Sequence, residues 1–185
     1  AKGHRAQATD AEDTIFPNVS FSEVTAEELA AASTAPRVIV PEYRYADVAL
    51  LYASGGTGKT TLVIYEAIIL ALGRPLWGRK AAKPLNTTIV TREDRRERLV
   101  GLMREIMRAM HLTAEEVGEA LRRVFIIDLT GIPFRLSCVI DDVVMPHQVN
   151  IWALIEKLVD YCAPDVLVFD PMVSFGIGES RVNDA

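Results

Sequence analysis

Cysteine and histidine are scarce in the 185-residue chain: two cysteines, Cys138 and Cys162, and three scattered histidines. That excludes a disulfide scaffold and a zinc site of the usual ligand spacing, and it points to a reducing, cytoplasmic setting. Long apolar runs are missing too. The longest, TLVIYEAIILAL, falls short of the roughly 18 residues of a membrane span and is interrupted by Glu66, so it reads as a buried helix with no membrane partner. The opening AKGHRAQATD lacks the apolar core of a signal peptide. There is no excess of positive charge. A formal net charge of -5 excludes a generic nucleic-acid-coating domain and leaves only a local basic face open. The triplets NVS and NTT match the glycosylation pattern, which means nothing in a cytosolic chain.

What is present is half hydrophobic, enough for one globular core without staples. Residues 1–24 are polar and aperiodic and read as a tail, and residues 25–185 read as one domain. TAEELAAAS and TAEEVGEALRR each open with Thr and carry Glu three residues later, a capping box ahead of a helix. APRVIVPEYRY is held extended by its prolines as a lead-in or edge strand. DVALLY, TTIVT, VFIIDLT and DVLVFD are short apolar or β-branched runs of the buried-strand type.

Between these strands lie helical stretches. One runs from about Lys59 to Leu72 and is stopped by Gly73. EDRRERLVGLMREIMRAM places Leu99, Leu102, Met103, Ile106, Met107 and Met110 on one stripe, and Asp94 is placed to cap it. QVNIWALIEKLVDYC places Ile151, Leu154, Ile155, Leu158 and Val159 at helical spacing. IPFRLSCVIDDVVMP fits either a hairpin or a loop, with Asp141 and Asp142 on an exposed turn. Strands alternating with helices predict an α/β fold, a parallel sheet covered on both faces. Ligands bind such sheets beyond the carboxyl ends of the strands, where the loop after DVALLY, Glu93 and Asp170 all fall.

That loop, ASGGTGKTT, ends in Gly58-Lys59-Thr60, the close of the phosphate-loop pattern G-x-x-x-x-G-K-S/T. Its first position holds Ala53, which suffices at a strand exit if its φ stays negative. Ser54, Gly55, Gly56, Thr57 and Gly58 supply backbone N–H groups that can turn inward on phosphates. The following helix, with Thr61 in its first turn, adds its dipole. Lys59 is placed to reach the outer phosphates of a nucleotide and Thr60 to offer its hydroxyl to Mg²⁺. A chance Gly-Lys-Thr turn is the competing reading, and the strand before and helix after argue against it.

A phosphate loop calls for a second acid at a strand end to hold Mg²⁺ through water. Asp170, closing VLVFD, and Asp128, closing VFIID within DLTG, both qualify. The chain has no N-K-x-D base-reading motif to make DLTG a GTPase signature. Asp170 is therefore preferred as the metal acid, with Asp128 satisfying a turn. Pro171 follows Asp170, so no glutamate stands directly after it. Glu93, just beyond TTIVT, is the candidate base that orients or deprotonates water. It is also the kind of acid that a helix dipole favours in any first turn.

YASGGTGKT, the helix ending ALGRPLWG, TREDRRERL and VLVFDPM together resemble the RecA-like P-loop ATPases of the hexameric RepA replicative helicase type, an AAA_25-like ATPase domain. The resemblance runs from about Thr25 to the end of the chain. It implies a RecA-like core, MgATP hydrolysis at subunit interfaces, a homo-hexameric ring and movement on single-stranded DNA. By that resemblance Lys59 and Thr60 are the Walker A pair, Glu93 the catalytic glutamate and Asp170 the Walker B acid. It also implies a core incomplete at its C-terminus, with sensor and arginine-finger residues beyond the chain and GIGESRVNDA bordering the DNA-facing region.

The remaining features have modest readings. The arginines of TREDRRERLVGLMREIMR alternate with acids at ion-pair spacing, as on a solvated helix face. Trp77 and Tyr161 either stack on adenine or serve the core. Two other functions stay open: a nucleotide-dependent assembly module with little turnover, and a small-molecule kinase.

Overall fold

The computed structural model describes residues 23–140 and 143–176. The expected turn at Asp141–Asp142, the GIGESRVNDA segment beyond Gly176 and most of the N-terminal tail lie outside them. The chain divides between Ala35 and Pro36 into two units. In the first, α1 (Ala26–Ala31) opens with the expected capping box: the Glu28 N–H donates to the Thr25 hydroxyl at 3.1 Å, and the Glu28 carboxylate accepts the Thr25 N–H at 2.8 Å.

The second unit is mixed α/β. It begins with a small antiparallel pair, β1 (Val38–Val40) and β2 (Arg44–Tyr45). The phosphate-loop helix α2 (Lys59–Ala71) follows. Then come β3 (Thr87–Thr91), α3 (Arg96–Ala109), α4 (Ala114–Arg123) and β4 (Val124–Asp128). A hairpin of β5 (Ser137–Ile140) and β6 (Val143–Pro146), helix α5 (Gln148–Lys157) and β7 (Val166–Asp170) complete it. The stretch left open between loop and hairpin is therefore a hairpin.

Strands β4, β3 and β7 form a parallel sheet in that order. Its centre, β3, is buried at every residue, as a β-branched strand with neighbours on both edges and helices on both faces must be. The register sets Thr91 level with Asp128 on one side and Asp170 on the other. Side chains alternate between faces. Ile89 packs with Ile64 and Ile68 of α2 and with Leu99, Met103 and Met107 of α3. Val90 packs on the opposite side with Leu154, Leu158, Cys162 and Phe175. The phosphate-loop helix therefore belongs to the Ile89 face.

Two expectations fail. DVALLY forms no ladder: Val48 is 95%, Leu50 79% and Tyr52 89% exposed. A buried parallel strand needs neighbours on its edges and cover on its faces; within the described residues β7 pairs only with β3, and the run pairs with no strand. Asp94 does not cap α3. Its N–H donates to the Thr91 hydroxyl, its carbonyl accepts from the same hydroxyl, and its carboxylate pairs with Arg98. The helix instead starts after Arg95, and the Arg96 N–H donates to Asp128 Oδ2 at 2.8 Å.

Along α5 and the turn that continues it, Leu154, Leu158 and Cys162 are buried, while Ile155 and Val159 are exposed. The helix runs into a π turn at Leu158–Cys162, and only the i+4 row facing Val90 and Phe175 is covered. The α3 stripe is as expected, with Leu99, Met103 and Met107 buried and Leu102, Ile106 and Met110 packed beside them.

Candidate functional site

Gly56 and Gly58 have φ of +74° and +85°, the left-handed region that glycine enters without strain. Ala53 does not enter it, so alanine meets the condition set by its place in the pattern. A Cβ at Gly55, Gly56 or Gly58 would meet nothing within 4 Å, so the loop curves round open space. Thr57 folds the loop onto itself through a hydroxyl bond to the Ser54 carbonyl at 2.8 Å. Gly58 is the N-cap of α2 and makes no side-chain cap, which leaves the first N–H groups of that helix for an anion. Lys59 crosses back over the loop, its Nζ donating to the carbonyls of Ala53 and Ser54 at 2.8 Å each. Thr61 sits exposed in the first turn.

The Thr60 hydroxyl donates to Asp170 Oδ2 at 2.7 Å. Of the two acids level with Thr91, Asp170 is thus the one in contact with the phosphate loop's helix. Asp128 is engaged elsewhere: its Oδ1 accepts the Thr130 N–H at 2.8 Å and its Oδ2 the Arg96 N–H. Thr130 and that backbone N–H hold its carboxyl below the usual carboxylate range. Hydroxyl and carboxylate oxygens are the hard donors that Mg²⁺ takes, so Thr60 and Asp170 fit a metal bound with a nucleotide. Among the described residues no group of three His, Cys, Asp or Glu forms a metal cluster.

Glu93 lies in the bend just after β3, the strand that pairs with β7 and sets Thr91 level with Asp170. Its side chain is exposed and has no hydrogen-bond partner among the described residues. The structure thus joins Lys59, Thr60 and Asp170 at one edge and leaves Glu93 unattached beside them. Trp77 is 52% and Tyr161 67% exposed; Trp77 leans on Tyr65 and Tyr161 carries Lys157 over its ring.

Two features escaped the sequence reading. Glu66, on α2, is 5% exposed and holds Arg44 at 2.6 Å and the Tyr43 hydroxyl. Burial, reinforced by Glu66, pushes the Tyr43 hydroxyl's pKa up. This contact fastens the β1–β2 pair to the phosphate-loop helix. Arg92 reaches from the end of β3 to the Ile132 carbonyl after β4 and the Ser174 carbonyl after β7, so it touches the loops beyond all three strands. Its position among alternating arginines and acids carried no local sign of this, because both partners are distant backbone carbonyls.

On the arginine-rich helix, Arg98 pairs with Asp94, and Arg104 and Arg108 with Glu105, the solvated face expected. No helix among the described residues is long and apolar enough to cross a membrane. A family model described as AAA domain matches residues 16–185. No curated protein and no solved structure matches the chain.

Proposed function

The chain belongs to this AAA-domain family of P-loop ATPases, and from that premise we propose that it binds ATP with Mg²⁺ and hydrolyses it as a RecA-like, DNA-stimulated motor of the helicase type. The observation that carries the reading is the Thr60–Asp170 bond, which brings a phosphate loop and a strand-end acid together as nucleotide hydrolysis requires.

Each residue's task follows from its chemistry. The loop N–H groups of Ser54 to Thr61 bind the phosphate oxygens. Lys59 moves its ammonium from the Ala53 and Ser54 carbonyls to the outer phosphates, where it offsets the negative charge that builds as the terminal bond breaks. Thr60 and Asp170 would hold Mg²⁺, which supplies further charge neutralisation on the phosphates. Glu93 accepts the proton of the attacking water, and ATP and water become ADP and phosphate. In this proposal residues 25–185 form the ATPase domain, the working form is a cytoplasmic homo-oligomeric ring on the hexameric pattern, and single-stranded DNA in plasmid or phage replication is the partner.

One observation favours a second reading. Glu93 is exposed and unpartnered among the described residues, so nothing in one copy fixes its aim. An assembly module that binds ATP to build a ring and turns it over slowly would look the same. Steady-state ATP hydrolysis by the chain with Mg²⁺, with and without single-stranded DNA, separates the two. Stimulation by DNA supports the motor; slow, DNA-independent turnover with ATP-dependent oligomerisation supports the assembly module; transfer of phosphate to an acceptor other than water would displace both in favour of a kinase.

A further inference from the structure

On the face of the sheet opposite α2 there is a second concentration of positive charge. Arg92 and Arg135, with Val173, Ser174 and Gly176, line a cavity of about 220 Å³. The phosphate loop opens from the layer of Ile89, whereas this cavity borders the layer of Val90, Phe134 and Phe175. The two are therefore separate places at one end of the sheet.

The cavity's chemistry is one-sided. Among the described residues no carboxylate lines it. Neither arginine takes part in an ion pair among the described residues, although nine such pairs occur elsewhere in them. Each presents a positively charged guanidinium fork. Arg92 is held in place by the Ser174 and Ile132 carbonyls, yet its Nε is buried without a partner. Arg135 is exposed, and among the described residues its one hydrogen bond as donor is a long 3.4 Å contact to the Gly176 carbonyl. Two like charges facing one cavity repel, and a buried donor without a partner is unfavourable. An oxyanion between them relieves the repulsion.

The volume narrows the class. It lies below the roughly 300–1,000 Å³ of sites that enclose a drug-sized ligand, and it suits one phosphate group better than a whole nucleotide. The planar guanidinium fork matches the oxygens of a phosphate.

We propose that Arg92 and Arg135 form an anion site for a single phosphate group, separate from the nucleotide loop, filled by a phosphodiester of single-stranded DNA or by free phosphate. Arg92 immediately precedes Glu93. An anion that draws on Arg92 therefore acts on the bend that carries Glu93, and this gives DNA a physical route to the rate of hydrolysis. That route rests on the proposed role of Glu93; the binding site itself does not.

The test uses the full chain and three probes: a fluorescent oligo(dT) followed by anisotropy over a salt series, inorganic phosphate followed by ³¹P line width, and a fluorescent ATP analogue. Arg135→Gln alters an exposed side chain, and Arg92→Lys keeps the charge and loses the fork. Each variant is expected to weaken oligonucleotide binding at least fivefold while binding of the ATP analogue stays within twofold. Arg135→Gln should also lower the slope of log K against log salt by about 0.7, one phosphate contact on a single strand. Loss of phosphate broadening with unchanged oligonucleotide binding would support the site and name free phosphate as its occupant. Both probes unchanged in both variants would overturn it. A Glu93→Gln variant that hydrolyses ATP normally and binds oligonucleotide like wild type would sink the role of Glu93 and leave the anion site supported.

Discussion

The Thr60 hydroxyl donates to Asp170 Oδ2 at 2.7 Å across a separation of 110 residues. It links the first turn of the phosphate-loop helix to the end of β7. Either end can be removed with little change of volume. Thr60→Val and Asp170→Asn should each retain ATP binding within about tenfold, since the loop N–H groups and Lys59 remain. Turnover should fall by roughly a hundredfold, the scale of one lost contributor to charge stabilisation. Phosphate release across a Mg²⁺ titration is the measurement. An unchanged Mg²⁺ midpoint in both variants would remove these residues from the metal site.

Lys59 and Glu93 should separate binding from chemistry. A hydrogen bond to a charged group contributes about 1.5–3 kcal/mol, so Lys59→Ala should weaken ATP binding by about 10- to 150-fold. Glu93→Gln keeps the shape of the side chain and removes the base. It should bind ATP like wild type and lose about 10²- to 10⁴-fold in turnover, the usual range for general-base catalysis. Fluorescent-nucleotide titration and steady-state phosphate release read the two effects. Weakened binding in Glu93→Gln would make this residue a ligand and not a base.

Glu66 offers a stability test away from the chemistry. It is buried on α2 with Arg44 and Tyr43 as partners. Breaking a fully buried pair costs about 3–5 kcal/mol, but the Arg44 side chain is 25% exposed and water recovers part of its charge. Glu66→Ala is therefore expected to destabilise by about 1–3 kcal/mol, read as a lower urea midpoint at constant slope. A shift under about 0.5 kcal/mol would mean that the β1–β2 pair is not anchored through this carboxylate.

Asp128 makes a pH-dependent contribution. Thr130 and the Arg96 N–H lower its carboxyl pKa in the folded protein. A depressed folded-state pKa gives stability that is fully present above the unfolded value, near 3.9, and is lost as pH falls through the folded value. Asp128→Ala should therefore melt lower than wild type at pH 7, and the difference should shrink towards pH 3. Thermal melts of both proteins over that range decide it. A constant gap would locate the acid sensitivity in other carboxylates, such as Asp165 beside Lys83.

The parts of this structure that were legible in the sequence are those decided by near neighbours. Thr25 and Glu28, like Thr113 and Glu116, close their capping boxes because all the required atoms lie within four residues. The runs TTIVT, VFIID and VLVFD become strands, and the loop Ser54–Gly58 runs straight into its helix. What was misread depended on distant partners. Asp94 has the right residue type for a cap, but the Thr91 hydroxyl claims its backbone first. DVALLY has the composition of a strand, but composition cannot provide neighbours. The Arg92 and Arg135 cavity was invisible because it is assembled by three separate loops.

The level ends of the sheet have one more consequence. Thr91, Asp128 and Asp170 share one register position. A one-residue insertion or deletion inside β3 or β7 would turn the terminal side chain to the opposite face and displace it by about 3.3 Å. No change of rotamer restores that. The connectors bear no such condition: one joins α2 to β3 and another β4 to β5. Length variation in this chain should accordingly accumulate between the strands and be purged within them, so that spacing, more than residue identity, is what inheritance has to preserve along the sheet.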